Sequence, residues 1–125
     1  MEDLAKKSVL IVDDVKSNLV VLHNILKSDY TLLMARNGVE AIERANKFMP
    51  DLILLDILMP DMDGYDVLAA LKNSAKTRYI PVIFVTGLTE LGDEEKGLSL
   101  GAVDYINKPF VPAVVRKRVQ SWINN

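Results

Sequence analysis

The chain has 125 residues, half of them apolar, with a formal net charge of −2 and no cysteine. That length suits one domain with its own core, the lack of thiols excludes disulfides and thiolate metal sites, and the mild negative charge gives no electrostatic reason for direct nucleic acid binding. No apolar run approaches the ~18 residues of a membrane span, and Met1-Glu2-Asp3-Leu4-Ala5-Lys6-Lys7 lacks the apolar core of a signal peptide, so a soluble cytoplasmic domain is the expectation.

Val9-Leu10-Ile11-Val12 reads as a first strand, buried on both faces. Val15, Leu19, Leu22 and Leu26 then recur at helical spacing and predict one inward face. Tyr30 to Ala35 reads as a second, weaker strand, and Asn37-Gly38 as a turn. Ala41, Ile42, Ala45 and Phe48 form another helical stripe, which Pro50 stops. Leu52-Ile53-Leu54-Leu55 is the third strand. A helix spans about Tyr65 to Lys72, with Val67, Leu68 and Leu71 facing inward.

Pro81 opens a fourth strand, Val82-Ile83-Phe84-Val85, where its missing N–H does least harm. A softer helix from about Thr89 to Leu100 contains Gly92 and Gly97 and ends near Gly101. Val103 to Ile106 is the fifth strand. Pro112 fits the first turn of a last helix, with Val115, Val119 and Trp122 on one face. Five strands alternating with five helices predict an α/β fold, a doubly wound parallel sheet covered on both faces by right-handed crossovers. The whole chain, residues 1–125, reads as a single domain with its core over about 8–123.

In such a sheet the strand C-termini share one edge, and ligands bind there. That edge collects Asp13 and Asp14 after the first strand, Asp56 after the third, Thr86 after the fourth and Lys108 after the fifth. Taken alone, each has an ordinary explanation: an Asp or Thr caps the next helix, and a Lys before Pro109 lies in a solvated turn. Together, three carboxylates repel one another unless a cation or raised pKa values relieve them. An all-oxygen set without His or Cys fits a hard ion, Mg²⁺ before Ca²⁺. A calcium loop of the EF-hand type is excluded, because placing Asp61, Asp63 and Gly64 in its pattern puts Met59 first and Ala70 twelfth, where ligands are required. An acidic metal site beside a lysine and a hydroxyl suits a phosphoryl group, with Asp56 as the central nucleophile. The Lys108-Pro109 bond is a candidate cis peptide.

These residues resemble those of the response-regulator receiver domains of two-component signalling, along nearly the whole chain. The matching pieces are Asp13-Asp14, the Asp56 to Gly64 segment with its Met59-Pro60, Thr86-Gly87, Gly101-Ala102, and Lys108-Pro109-Phe110. The resemblance implies a flavodoxin-like sheet of order 2-1-3-4-5 with five helices. It implies Asp56 as phosphoacceptor and Asp14 as a direct Mg²⁺ ligand, with Asp13 acting mainly through water and the carbonyl of Leu58 adding a ligand. Lys108 would contact the phosphoryl oxygens, Thr86 would be the switch hydroxyl and Tyr105 the switch aromatic. Catalysis would be confined to the domain's own phosphorylation and dephosphorylation, and the switch face would comprise the fourth helix, fifth strand and fifth helix. A partner or output domain would engage that face, and a homodimer is a further expected assembly.

The positions that flank a phosphoryl group in this family are Leu58 and Leu88 here, both apolar, which predicts slow loss of phosphate. His23, the one histidine, lies beside the inward stripe of the first helix, far from the acids. The phosphoryl donor is therefore expected in trans, on a sensor histidine kinase or phosphotransfer protein. Arg116-Lys117-Arg118 reads as cations complementing the dipole of the last helix. Val111 to Val115 resembles linkages before cyclic-dinucleotide enzyme domains. Three rivals remain: an aspartyl-nucleophile Mg²⁺-dependent phosphohydrolase, a flavin module and a phosphorylation-independent partner-binding pseudo-receiver. The first wants a second acid two residues after its nucleophile, where Leu58 stands. The second wants a phosphate loop where Asp13-Asp14 repels phosphate. The third is opposed by the presence of all five site residues.

Overall fold

The computed structural model describes residues 6–87 and 96–123. In chain order the elements are β1 (Ser8–Val12), α1 (Lys16–Leu26), β2 (Thr31–Ala35), α2 (Gly38–Phe48), β3 (Leu52–Asp56), α3 (Gly64–Lys72), β4 (Val82–Thr86), α4 (described over residues 96–99), β5 (Asp104–Asn107) and α5 (Pro112–Ile123). The strands form one parallel sheet of order β2-β1-β3-β4-β5, as expected.

The unbroken apolar strand runs follow from cores on both faces. Successive side chains of a strand point to opposite sides. Leu10, Val12, Ile53, Leu55 and Phe84 pack toward α2 and α3, while Val9, Ile11, Leu52, Leu54, Ile83 and Val85 pack toward α1 and α5. Every residue of β3 and β4 is buried. Burial therefore reaches the strand ends and encloses Asp56 and Thr86. Among the described residues no helix is long and apolar enough to cross a membrane.

Several predicted details are corrected. Val15 is 46% exposed, because α1 starts one residue later and Val15 is its extended N-cap. Phe48, the last residue of α2, is exposed, with Lys47 Nζ 5.2 Å from its ring centre. On α5 the third inward residue is Ile123, and Trp122 is only partly buried. Asn37-Gly38 begins α2 and is no free turn: the Asn37 side chain accepts from Glu40 N at 2.9 Å. Gly38 is small because an added Cβ would meet Met62 Sδ at 2.5 Å. Strands β2 and β5 each begin one residue later than the apolar pattern, and β5 runs on to Asn107. The basic run is not at a helix end, since the last turn of α5 holds no cation. Arg118 instead reaches Asp104 at 2.7 Å and the Tyr105 carbonyl at 3.1 Å. The Thr89–Leu100 helix lies largely outside the described residues, with only 96–99 seen as helical.

Candidate functional site

Asp56 is the last residue of β3 and 3% exposed. It does not cap the next helix. That role belongs to Asp63, whose carboxylate accepts from Asp66 N at 2.9 Å, while Asp66 accepts from Asp63 N at 3.2 Å. This reciprocal capping satisfies two donors of the first turn and starts α3 just beyond the acid. The helix then lies directly on the strand end, since a Cβ at Gly64 would come 2.6 Å from the Asp56 carbonyl oxygen. Gly64 N donates to the Ile57 carbonyl at 2.7 Å, which closes that loop.

Asp13 follows β1 and is 1% exposed; Asp14 is half-buried. One carboxylate oxygen from each of Asp13, Asp14 and Asp56 lies within 4.8 Å of the others. Asp13 Oδ1 accepts from Val15 N at 2.9 Å. Its Oδ2 is buried without a hydrogen bond, and Lys108 Nζ stands 3.3 Å away as an ion-pair partner outside hydrogen-bonding angles. The same ammonium donates to Asp56 Oδ1 at 3.3 Å. Lys108 is placed by the backbone: its N–H donates to the Thr86 carbonyl at 2.9 Å, and the Lys108-Pro109 peptide is cis.

Three carboxylates thus cluster, and one ammonium pairs with two of them. Burial, and next the charge of Asp13, push Asp56 up to about 6, against the opposing pull of Lys108; Asp14 adds a smaller push. A hard cation fits the arrangement, because the donors are all oxygen and one buried oxygen lacks a hydrogen bond.

Thr86, 1% exposed, ends β4, and its strand neighbour Val85 is in register with Asp56. Leu58 is 62% exposed, beside the acids in sequence but open to solvent. Leu88 lies outside the described residues. Tyr105, 7% exposed, has its ring 5.7 Å from that of Phe84. His23 is half-buried on α1, in its last turn.

Some contacts have no signal in the sequence. Arg36, directly after β2, donates from Nη2 to the Asp14 carbonyl at 3.4 Å. Asp104 binds Arg118 and also accepts from Trp122 Nε1 at 2.9 Å, which ties α5 to β5. Residue types and spacing do not reveal pairs this far apart in the chain.

A family model described as the response regulator receiver domain matches residues 9–120. A probable cyclic di-GMP phosphodiesterase of Vibrio cholerae is 42% identical over 125 residues, covering 100% of this chain and 28% of that protein. The polar-differentiation response regulator DivK of Brucella anthropi is 38% identical over 121 residues, covering 95% of this chain and 98% of that one. The chain is thus similar both to about a quarter of a long protein and to nearly all of a short one. Among solved structures, the receiver domain of a sensor histidine kinase from Pseudomonas aeruginosa, with a magnesium ion coordinated in its active-site cleft, superposes with a TM-score of 0.88 at 30% identity. That match covers 96% of this chain and 99% of that one.

Proposed function

The chain belongs to the response regulator receiver domain family, and on that premise we propose that Asp56 accepts a phosphoryl group in a Mg²⁺-dependent transfer and that the domain changes conformation as a result. The observation that carries this reading is Lys108 Nζ at 3.3 Å from both Asp13 Oδ2 and Asp56 Oδ1, beside a third carboxylate.

Each residue then has a chemical role. An oxygen of the ionised Asp56 attacks phosphorus, the bond from phosphorus to the donor nitrogen breaks, and the freed imidazole leaves with a proton from solvent. Asp13, Asp14, Asp56 and the Leu58 carbonyl would hold Mg²⁺, which when bound neutralises phosphoryl oxygens. Lys108 would leave its carboxylate partners to contact those oxygens. Thr86 would donate its hydroxyl to the new phosphoryl group, and Tyr105 would report that movement on the face made by α4, β5 and α5. The acyl phosphate then shifts an existing equilibrium between two conformations.

The donor histidine lies outside this segment, because its one histidine, His23, sits on α1 in the last turn, away from the acids. A sensor histidine kinase or phosphotransfer protein is the proposed partner. An open groove of about 570 Å³ beside Lys108, lined by Asn18, Val21, Pro109 and Phe110, offers it a surface. The domain works in the cytoplasm, and its chemistry is limited to its own phosphorylation state. The phosphodiesterase activity named for the Vibrio relative is not assigned to this segment, which aligns with 28% of that protein.

Radiolabel transfer from acetyl phosphate tests the reading. Label should appear only with Mg²⁺ and be lost in Asp56→Asn. Turnover of a phosphomonoester without lasting label would instead favour a hydrolase, and no labelling at all would favour a partner-binding pseudo-receiver.

A further inference from the structure

Two adjacent residues of α4 bear on Tyr105 in a way that residue roles alone do not explain. Gly97 has helical backbone, so its lack of a side chain is not required by conformation. Alanine is the better helix former. Space is the reason: an added Cβ would overlap the Tyr105 hydroxyl oxygen and come 2.8 Å from Cδ2 and Cε2 of Phe84. The buried Tyr105 ring occupies the room that any other residue at 97 would need.

Lys96 holds the other end of the same aromatic group. Its Nζ lies 4.3 Å from the ring centre of Tyr65. Tyr65 meets Phe84 edge-on at 5.4 Å and 73°, and Phe84 meets Tyr105 at 5.7 Å. Tyr65 directly follows Gly64, the residue that rests on the Asp56 carbonyl. Three rings therefore run from beside the acidic site to β5, with α4 contributing a cation at one end and, at Gly97, the room that Tyr105 fills at the other.

We infer that Gly97 and Lys96 are positioning residues that hold Tyr105 inward before Asp56 carries a phosphoryl group. Taking the inward position as the one that Tyr105 adopts in the proposed switched arrangement, the domain is biased toward that arrangement and phosphorylation completes the shift. The inference rests on the proposed role of Tyr105 in that switch, but its geometric part does not depend on phosphate. By linkage, whatever favours the phosphorylated conformation also favours phosphorylation.

The test is ¹⁹F NMR of the whole chain labelled with 3-fluorotyrosine, with the Tyr105 line assigned through Tyr105→Phe and its exposure read from the H₂O/D₂O shift. In the unphosphorylated wild type the line should be shielded. Gly97→Ala should move it to the exposed position and slow Asp56 labelling by acetyl phosphate several-fold, with Mg²⁺ affinity unchanged. A Tyr105 line already exposed in wild type, or still shielded in Gly97→Ala, overturns the inference. If Gly97→Ala does not fold, Lys96→Met carries the test, since it keeps the stem at a surface position and removes the cation. It should raise the exposed fraction of Tyr105, and an unchanged line overturns the inference. Failure of wild type to label at all would count against the proposed phosphoacceptor and leave the ¹⁹F result to be judged separately.

Discussion

Asp56 and Lys108 meet at 3.3 Å although 52 residues separate them. The contact exists because β3 and β5 flank β4 in one parallel sheet, so their C-terminal ends open onto one edge. Removing the ammonium should expose the conflict that it relieves. Lys108→Met leaves Asp13 Oδ2 buried beside Asp56 with no counter-charge. We expect a loss of about 2 kcal/mol in metal-free urea unfolding at pH 7.5, and labelling slower by about 100-fold. A variant as stable and as reactive as wild type would remove Lys108 from the site.

Magnesium should stabilise the fold by binding the native acids and not the unfolded chain. The melting temperature of wild type should climb with MgCl₂ concentration and fall back in EDTA. Asp13→Asn should flatten that dependence. The check is a thermal melt series at constant ionic strength, and equal slopes in the two proteins would contradict a cation site at Asp13, Asp14 and Asp56.

The raised pKa of Asp56 sets the sign of a pH effect in the metal-free domain. Its folded value, about 6, exceeds its ordinary 3.8, so the folded state binds the proton more tightly. The stability this proton contributes is fully present below about pH 4 and is lost as pH rises through about 6. The ionised Asp56 then destabilises the fold by about 3 kcal/mol, as an order of magnitude. Asp56→Asn should lack this decline and be the more stable protein in EDTA at pH 7.5. Chemical denaturation of both between pH 4 and 8 checks it; parallel curves would sink the assignment.

Asp104 joins β5 to α5 by accepting from Arg118 and from Trp122 Nε1. Asp104→Ala leaves a half-buried indole N–H without its partner. The Arg118 pair is partly exposed and adds little of its own. We expect a cost of about 1–2 kcal/mol. Emission from Trp122, the one tryptophan, should also shift, and an unchanged spectrum would argue against the contact.

Leu58 bears on the lifetime of the signal. Its exposed apolar side chain has no group to orient an attacking water, and Leu88, beyond the described residues, has none either. The phosphorylated domain should lose its label slowly, and Leu58→Asn should lose it several-fold faster. Decay after removal of donor measures both. A wild-type lifetime of seconds would refute the expectation.

Much of the architecture was legible in the chain. Continuous apolar runs at Val9–Val12, Leu52–Leu55 and Val82–Val85 can be satisfied only by strands covered on both faces, and each proved buried. What failed were helix edges. Val15 and Phe48 match the inward spacing but sit at the ends of α1 and α2, where the chain leaves the helix and the face is no longer covered. Spacing reports which residues share a face and carries no mark of where the face stops. The basic run from Arg116 to Arg118 misled for a related reason, since Arg118 pairs with Asp104 across the gap to β5.

By itself the sequence determined the strand count, the two-sided core and the residue types at the strand ends, because burial demands apolar runs and the catalogue of oxygen donors can be read directly. Only the tertiary structure decided that Asp13 Oδ2 is left without a hydrogen bond, that Lys108 stands equally far from two acids, and that the space beside Gly97 is filled by Tyr105. These are distances between elements far apart in the chain. They arise from how helices settle on a twisted sheet, and local residue patterns hold no record of that packing.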